Sequence, residues 1–364
     1  MSGIWGKNIR ISIFGESHGK AIGAVIDGLP VGLALDMENI KFQMKRRAPG
    51  RSELATLRQE DDDFEILSGY FNGYTTGTPF SFIIRNKDKK SMDYEKIKDI
   101  PRPGHADYTG RIKYSGFNDY RGGGHFSGRL TAPLVFAGAI CRQILKDKRI
   151  RIVSHIKSIG IVEDKSFDFE KIQEEIIDRL ENMQMPVTDE EKAKFMRQEI
   201  LIAKQNEDSV GGIIECAIIG TPAGVGEPFF DSVESRLSHI LFAIPGVKGV
   251  EFGAGFDIAK MKSSQANDEI FIQNGEVKTK SNYNGGILGG ITNSMPIIFR
   301  VAIKPTPSIG KIQNSIDMEK MKETKIEIQG RHDPCIVPRA IPVVEAVAAI
   351  ALLDMIMERG EWND

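Results

Sequence analysis

The chain has 364 residues, with 48 Lys plus Arg against 50 Asp plus Glu, a formal charge of −2, 41% hydrophobic residues and 27% charged residues. These proportions exclude wholesale disorder, and the charge balance excludes a nucleic-acid binder working by bulk positive charge. Glycine stands out at 37 residues against 16 prolines and no repeat, so many tight turns or close backbone–ligand approaches are expected.

Residues 9–14 (IRISIF) alternate as a strand and run into a turn at 15–19. Residues 21–27 form a second apolar run, ended by Gly28 and Pro30. Asp36 caps a helix that reaches Arg47, with Asn39 at its third position, and Pro49-Gly50 stops it. Residues 66–69 and 78–85 read as strands, and 87–98 as a charged connection. Residues 101–133 are polar and glycine-rich without apolar periodicity, a long loop whose Arg, His and Tyr content marks it as functional. An apolar helix over 134–145, a strand over 150–161, two amphipathic helices over 167–204 broken near Pro186, and strands over 209–220 and 246–256 follow. Residues 282–296 are another glycine-rich loop, 296–302 and 326–329 read as strands, and 342–359 as the closing helix. Strands cluster rather than alternate singly with helices, which predicts an α+β fold. No linker interrupts the composition, so residues 1–364 are read as a single domain.

Cys141, Cys216 and Cys335 are odd in number and far apart, supporting neither a disulfide framework nor a zinc site. No histidine pair has metal-ligand spacing, so no metal is expected. The N-terminal residues show no signal peptide, and the apolar segment 342–357 carries Glu345 and Asp354 and is too short to span a bilayer. A cytoplasmic protein without membrane or nucleic-acid partners is expected.

Four constellations can carry chemistry. Gly15-Glu16-Ser17-His18-Gly19 matches G-x-S-x-G, which admits a serine hydrolase using Ser17, although too little sheet precedes it. Arg46, Arg47, Arg51, Arg102, Arg111, Arg121 and Arg129 form a basic set suited to carboxylates and phosphates, the first two also readable as a solvated helix end. Gly122-Gly123-Gly124-His125-Phe126-Ser127-Gly128-Arg129 leads into a helix and can present backbone amides to an anion; a plain flavin- or RNA-binding loop is the alternative. Lys304-Pro305-Thr306-Pro307-Ser308 and Gly330-Arg331-His332-Asp333-Pro334-Cys335 close the set, Asp333 being a fixed-carboxylate candidate. His105, His125 and His18 sit in turns, where imidazole exchanges protons near neutral pH.

In order along the chain, FGESHG, RRAPGR, LSGYFNGYTTGTP, RPGHADYT, DYRGGG, DSVGG, VKGVEFG, GGILGGI, KPTPS and GRHDPC resemble the chorismate synthase family. The resemblance implies a sandwich of helices between antiparallel sheets, assembled as a homotetramer. It implies loss of phosphate from 5-enolpyruvylshikimate 3-phosphate to give chorismate, with reduced FMN and no net redox change. By the same resemblance His18 protonates the departing phosphate, with Ser17 and Ser127 at the site. His105 manages the proton of reduced flavin, and Asp333 relays the proton from flavin N5. Arg47, Arg51, Arg129 and Arg331 would hold substrate. His125, Phe126, Ser127, Pro245, Gly246, Gly289, Lys304, Pro305, Thr306, Pro307, Ser308 and Arg331 would line the FMN site. NADPH enters only indirectly, through a separate flavin reductase. The chain departs from the family's usual pattern at Glu53, at HFSGRLT and at Pro245-Gly246.

Overall fold

The computed structural model describes residues 3–50, 62–87, 95, 98–169, 172–328 and 333–360. Strands β1 (Ile4–Trp5), β2 (Arg10–Gly15), β3 (Ala21–Asp27), β4 (Phe64–Ser68) and β7 (Phe80–Arg85) form one antiparallel sheet in the order β1-β2-β3-β7-β4, and β5 (Tyr70–Phe71) and β6 (Tyr74–Thr75) form a small hairpin. The period-2 pattern of β3 and β7 buries Ile22, Ala24 and Ile26 opposite Ile84, Phe82 and Phe80 on one face. Helix α1 (Met37–Arg47) starts at the expected cap, where the Asp36 carboxylate accepts the Asn39 amide at 2.9 Å.

The segment 101–133 differs from a loop. It holds helix α2 (Asp107–Lys113) and two short 3-10 turns, Arg121–Phe126 and Gly128–Leu130, and then α3 (Thr131–Asp147) begins. Helix α2 has no apolar stripe to announce it, because Gly110 faces the Phe126 ring instead of a core. The rest of the chain supplies β8 (Arg151–Ile159), β9 (Val162–Glu163), α4 (Glu174–Asn182), α5 (Glu190–Gln205), β10 (Gly212–Ile219), α6 (Val233–Leu241), β11 (Val247–Phe252), α7 (Ser263–Ala266), the hairpins β12 (Ile270–Gln273)/β13 (Glu276–Thr279) and β14 (Ile287–Leu288)/β15 (Ile291–Thr292), β16 (Ile297–Ile303), the hairpin β17 (Gln313–Asp317)/β18 (Lys322–Ile326), and α8 (Val337–Glu358). The strand read at 326–329 is therefore β18, shifted toward the N-terminus and paired in a hairpin. The closing helix begins five residues before Pro342, which it absorbs.

A second antiparallel sheet has the order β11-β16-β10-β8-β9. Between the sheets lie α1, α3 and α8: Phe136 of α3 stacks on Phe82 at 3.8 Å between ring centroids, while α8 packs on β8 and β10. Helices α3 and α8 cross at Gly138, where an added Cβ would lie 2.3 Å from that of Ala346. The outer face of the second sheet buries Val153, Ala217 and Ile298 with Ile177 and Leu180 of α4. Helix α8 is, among the described residues, the one helix long and apolar enough to cross a membrane, and it is almost wholly enclosed in this sandwich.

Two acids inside α8 are buried with partners. Glu345 meets Arg46 at 2.5 Å and Arg142 at 2.8 Å. Asp354 accepts the backbone N–H groups of Lys7, Asn8 and Ile9 and pairs with Arg236.

Candidate active site

The end of α1 sends Arg46 inward and Arg47 into a cavity, and both are buried, so neither is a solvated helix end. Arg47 donates to Asp62 Oδ2 at 2.5 Å from Nη2 and 3.0 Å from Nε. Arg129 holds the other carboxylate oxygen of Asp62 and donates from Nε to Asn86 at 3.2 Å. Burial alone would push the Asp62 carboxyl up, but the two guanidinium groups outweigh it and hold the group below the usual carboxylate range.

The glycine loop explains how residues far apart in sequence meet. Gly122, Gly123 and Gly124 have φ of +60°, +83° and +53°, a region that L side chains avoid. A Cβ at Gly122 would lie 2.3 Å from His18 Cδ2 and 2.8 Å from Ser17 Oγ, and one at Gly123 would lie 3.0 Å from His105 Nε2. Two imidazoles are thus covered by consecutive glycines. Ser17 is 1% exposed, and its hydroxyl donates to the carbonyls of Gly122 (3.0 Å) and Arg121 (3.2 Å). A nucleophile needs a base to take that proton, and here carbonyls hold it. The hydrolase reading of Ser17 is therefore dropped. A ring N–H of His125, at Nδ1, donates to the Gly15 carbonyl at 2.9 Å. Ser127 Oγ accepts the Arg129 amide at 3.3 Å and so caps the second 3-10 turn.

Beside the glycine loop, Arg102 donates to Asp107 from Nε (2.7 Å) and Nη2 (2.8 Å), and to Ser308 from Nη1 (3.2 Å). His105 Nδ1 lies 2.6 Å from Asp107 Oδ1. Burial opposes the Asp107 charge, yet hydrogen bonds from Arg102 and His105 keep its carboxyl far below the ordinary range. Asp333 pairs with Arg339, whose Nε donates to the Arg47 carbonyl at 3.2 Å. Lys304 donates to the Gly104 carbonyl, and burial with Lys248 nearby pulls its pKa down.

These groups surround one cavity of about 700 Å³. Among the described residues, Arg47, Arg102, Arg129, Lys248, Lys304 and Arg339 line it against a single carboxylate, Asp333. That imbalance selects an anionic ligand even though the whole chain is nearly neutral. Phe126, Ile244, Pro305, Pro307, Ile336 and Val343 add apolar wall. The Thr306 hydroxyl there is buried without a partner among the described residues, an opening for a polar ligand atom.

His105, His125, Phe126, Ser127, Pro245, Gly246, Lys304, Pro305, Thr306, Pro307, Ser308, Arg47, Arg129 and Asp333 all line this cavity. Ser17 and His18 sit behind Gly122 in its wall. Gly289 lies in the β14/β15 turn and is not among the lining residues. Arg51 and Arg331 fall outside the described residues. Sequence reasoning passed over Asp62, Asp107, Lys248 and Arg339. Asp107 had a signal, two residues beyond His105 in PGHAD; Asp62 had none.

A family model described as chorismate synthase matches residues 9–357. The chain belongs to the chorismate synthase family. It is 50% identical over 358 residues to a chorismate synthase of Pyrococcus abyssi, covering 98% of each chain, and 47% identical over 360 residues to one of Methanobrevibacter smithii, covering 99% of this chain and 98% of that one. A crystal structure of a chorismate synthase superimposes with a TM-score of 0.77 at 31% identity, covering 98% of this chain and 93% of that one. The α+β sandwich is thus the family's fold. As a member, the chain is a carbon–oxygen lyase that eliminates phosphate from 5-enolpyruvylshikimate 3-phosphate to give chorismate.

Proposed function

We propose that the cavity holds reduced FMN and the phosphorylated substrate together, and that His18, His105 and Asp333 move the protons of the elimination. The observation that supports this reading is convergence: His105 and Asp333 line one cation-rich cavity, and His18 packs behind Gly122 of its wall. The cavity suits a planar, phosphate-bearing cofactor. The apolar wall at Phe126, Pro305 and Pro307 fits a flat ring, and the unpartnered Thr306 hydroxyl with Lys304 and Lys248 fits a phosphate. Reduced FMN, when bound, supplies the transient electron density that lets phosphate leave an unactivated ring. Arg47 and Arg129, pre-set by Asp62, orient the substrate's carboxylates and phosphate. His18 protonates the leaving phosphate, with Ser17 keeping the turn beneath it closed. His105 would hold a proton at the flavin edge, and Asp333, oriented by Arg339, would relay the proton from flavin N5.

Anaerobic turnover with photoreduced FMN tests the assignment. His18→Ala, His105→Ala and Asp333→Asn are each expected to lose about 10²–10⁴-fold in kcat while still binding FMN. Near-normal rates in all three would refute the roles. The same assay with NADPH and oxidised FMN is expected to be silent, since we assign flavin reduction to a separate reductase. We further propose a homotetramer acting in the cytoplasm and a chain that unfolds as one domain, which light scattering and calorimetry check.

A further inference from the structure

We infer that Asp107 is a positioning residue that fixes the tautomer of His105, leaving the Nε2 lone pair toward the reaction cavity; this rests on the role proposed above for His105. Three observations support it. First, His105 Nδ1 approaches Asp107 Oδ1 to 2.6 Å. A nitrogen lone pair so near a carboxylate oxygen would be repelled, so Nδ1 carries the hydrogen and donates it. Second, Asp107 cannot turn away. Its oxygens also accept Arg102 Nε at 2.7 Å, Nη2 at 2.8 Å and the Arg102 backbone N–H at 3.0 Å. Third, Asp107 is not among the residues lining the reaction cavity. It faces a separate space of about 240 Å³, with Lys98, Asp99 and Arg111, and Arg102 forms the wall between the two. Its influence on the reaction therefore passes through the two lining groups it holds, the His105 ring and Arg102, and the NMR readout below isolates the first. Among the described residues, the other charged group hydrogen-bonded to that ring is Arg102, whose Nη2 lies 3.1 Å from Nδ1 and 3.3 Å from Nε2. The far ring edge is covered by Gly123, the position where a side chain would intrude on Nε2.

Asp107→Asn keeps the shape and removes one acceptor. Arg102 claims the remaining amide oxygen, so the NH₂ group falls opposite His105 Nδ1. That nitrogen must then accept, and the hydrogen moves to Nε2. A bare Nε2 can take a proton at the cavity; an Nε2–H cannot.

The test combines a spectroscopic and a kinetic readout. In protein labelled with 15N-histidine, solid-state NMR is expected to show the Nδ1–H form for His105 in the native chain, with His105→Gln identifying the signal. Asp107→Asn should show the Nε2–H form. Its kcat should fall about 10²–10⁴-fold, while the Kd for inorganic phosphate at the cavity changes by less than about threefold. Asp107→Glu retains a carboxylate and should recover the Nδ1–H signal with part of the rate. An Nε2–H form in the native chain overturns the inference whether or not Asp107→Asn folds. Normal turnover in Asp107→Asn beside an inactive His105→Ala overturns it while leaving the role of His105 standing. Normal turnover in His105→Ala instead removes that role, and the NMR result then still decides whether Asp107 sets the tautomer.

Discussion

Arg46 and Arg47 are neighbours at the end of one helix, yet they enter two triads of the same make-up with different surroundings. Arg46 and Arg142 enclose Glu345 between the helices and the second sheet. Arg47 and Arg129 enclose Asp62 at the edge of the reaction cavity. In the first triad the carboxylate also accepts the Ser154 amide at 3.1 Å, and Arg142, although it borders a space of about 390 Å³, commits its Nη2 to Glu181 at 2.9 Å and the Ile152 carbonyl at 3.2 Å. In the second, both guanidinium groups also line open space. The same ionic unit is a joint in one place and, in the function proposed above, an anion clamp in the other. The remaining protein partners decide, because a buried ion pair is a weak source of stability in itself and costly only to break.

The largest expected effect breaks the joint. Glu345→Ala leaves Arg46 and Arg142 buried without their carboxylate and should cost about 3–5 kcal/mol, seen as a lowered denaturation midpoint. Activity per folded molecule should be kept; unchanged stability would show that Glu345 is not a joint. The clamp responds differently. Asp62→Asn should cost about 1–3 kcal/mol of stability. It should also tighten inorganic phosphate binding roughly tenfold, since a negative charge beside Arg47 and Arg129 is gone. Weaker phosphate binding in that variant would mean that Asp62 shapes the clamp rather than moderating its charge.

The smallest effect concerns a third cluster with the signs exchanged. His155 is enclosed by Asp164 at 3.2 Å and Glu215 at 3.0 Å. Burial lowers its pKa, but the two carboxylates outweigh this and raise it above the usual histidine value. A raised folded-state pKa adds stability that is complete below the unfolded value and is lost as pH climbs through the folded one. Asp62 works in the opposite window, its contribution being lost as pH falls through its depressed value. Urea midpoints followed above neutral pH should therefore fall faster in the native chain than in His155→Gln, by at most about 1.4 kcal/mol per pH unit. Parallel curves would mean that His155 is neutral in the fold.

How much was legible in the sequence follows from where each signal comes from. The α1 start rests on one local bond from Asp36 and could be read, whereas residues 21–27 read only as an apolar run, and which of them face the core follows from pairing with β7. The β12/β13 hairpin was also readable but overlooked: Asn274 and Gly275 both have positive φ, as the Asn-Gly turn signal predicts. Asp62 was not readable, because its partners Arg47 and Arg129 are brought to it by tertiary structure and its neighbours form an ordinary acidic run. Arg339 is six residues beyond Asp333, and only the bend before α8 folds it back to pair. The motifs located the cavity, while the counter-ions that tune it came from folding.

Helix α8 has a consequence beyond its burial. Its first turns, Ile336 to Val343, border the cavity, and near its other end Asp354 grips the amides of residues 7–9. Those residues lead into β2, which ends at Gly15 just before Ser17 and His18, themselves pressed against Gly122. The chain therefore closes a mechanical circuit: a rod of 22 residues, about 33 Å long, leaves the cavity, and a strand returns to it. Slack introduced at Asp354, as by Asp354→Ala, is expected to pass along β2 to His18, tying the residue proposed above as proton donor to a carboxylate at the far end of the molecule.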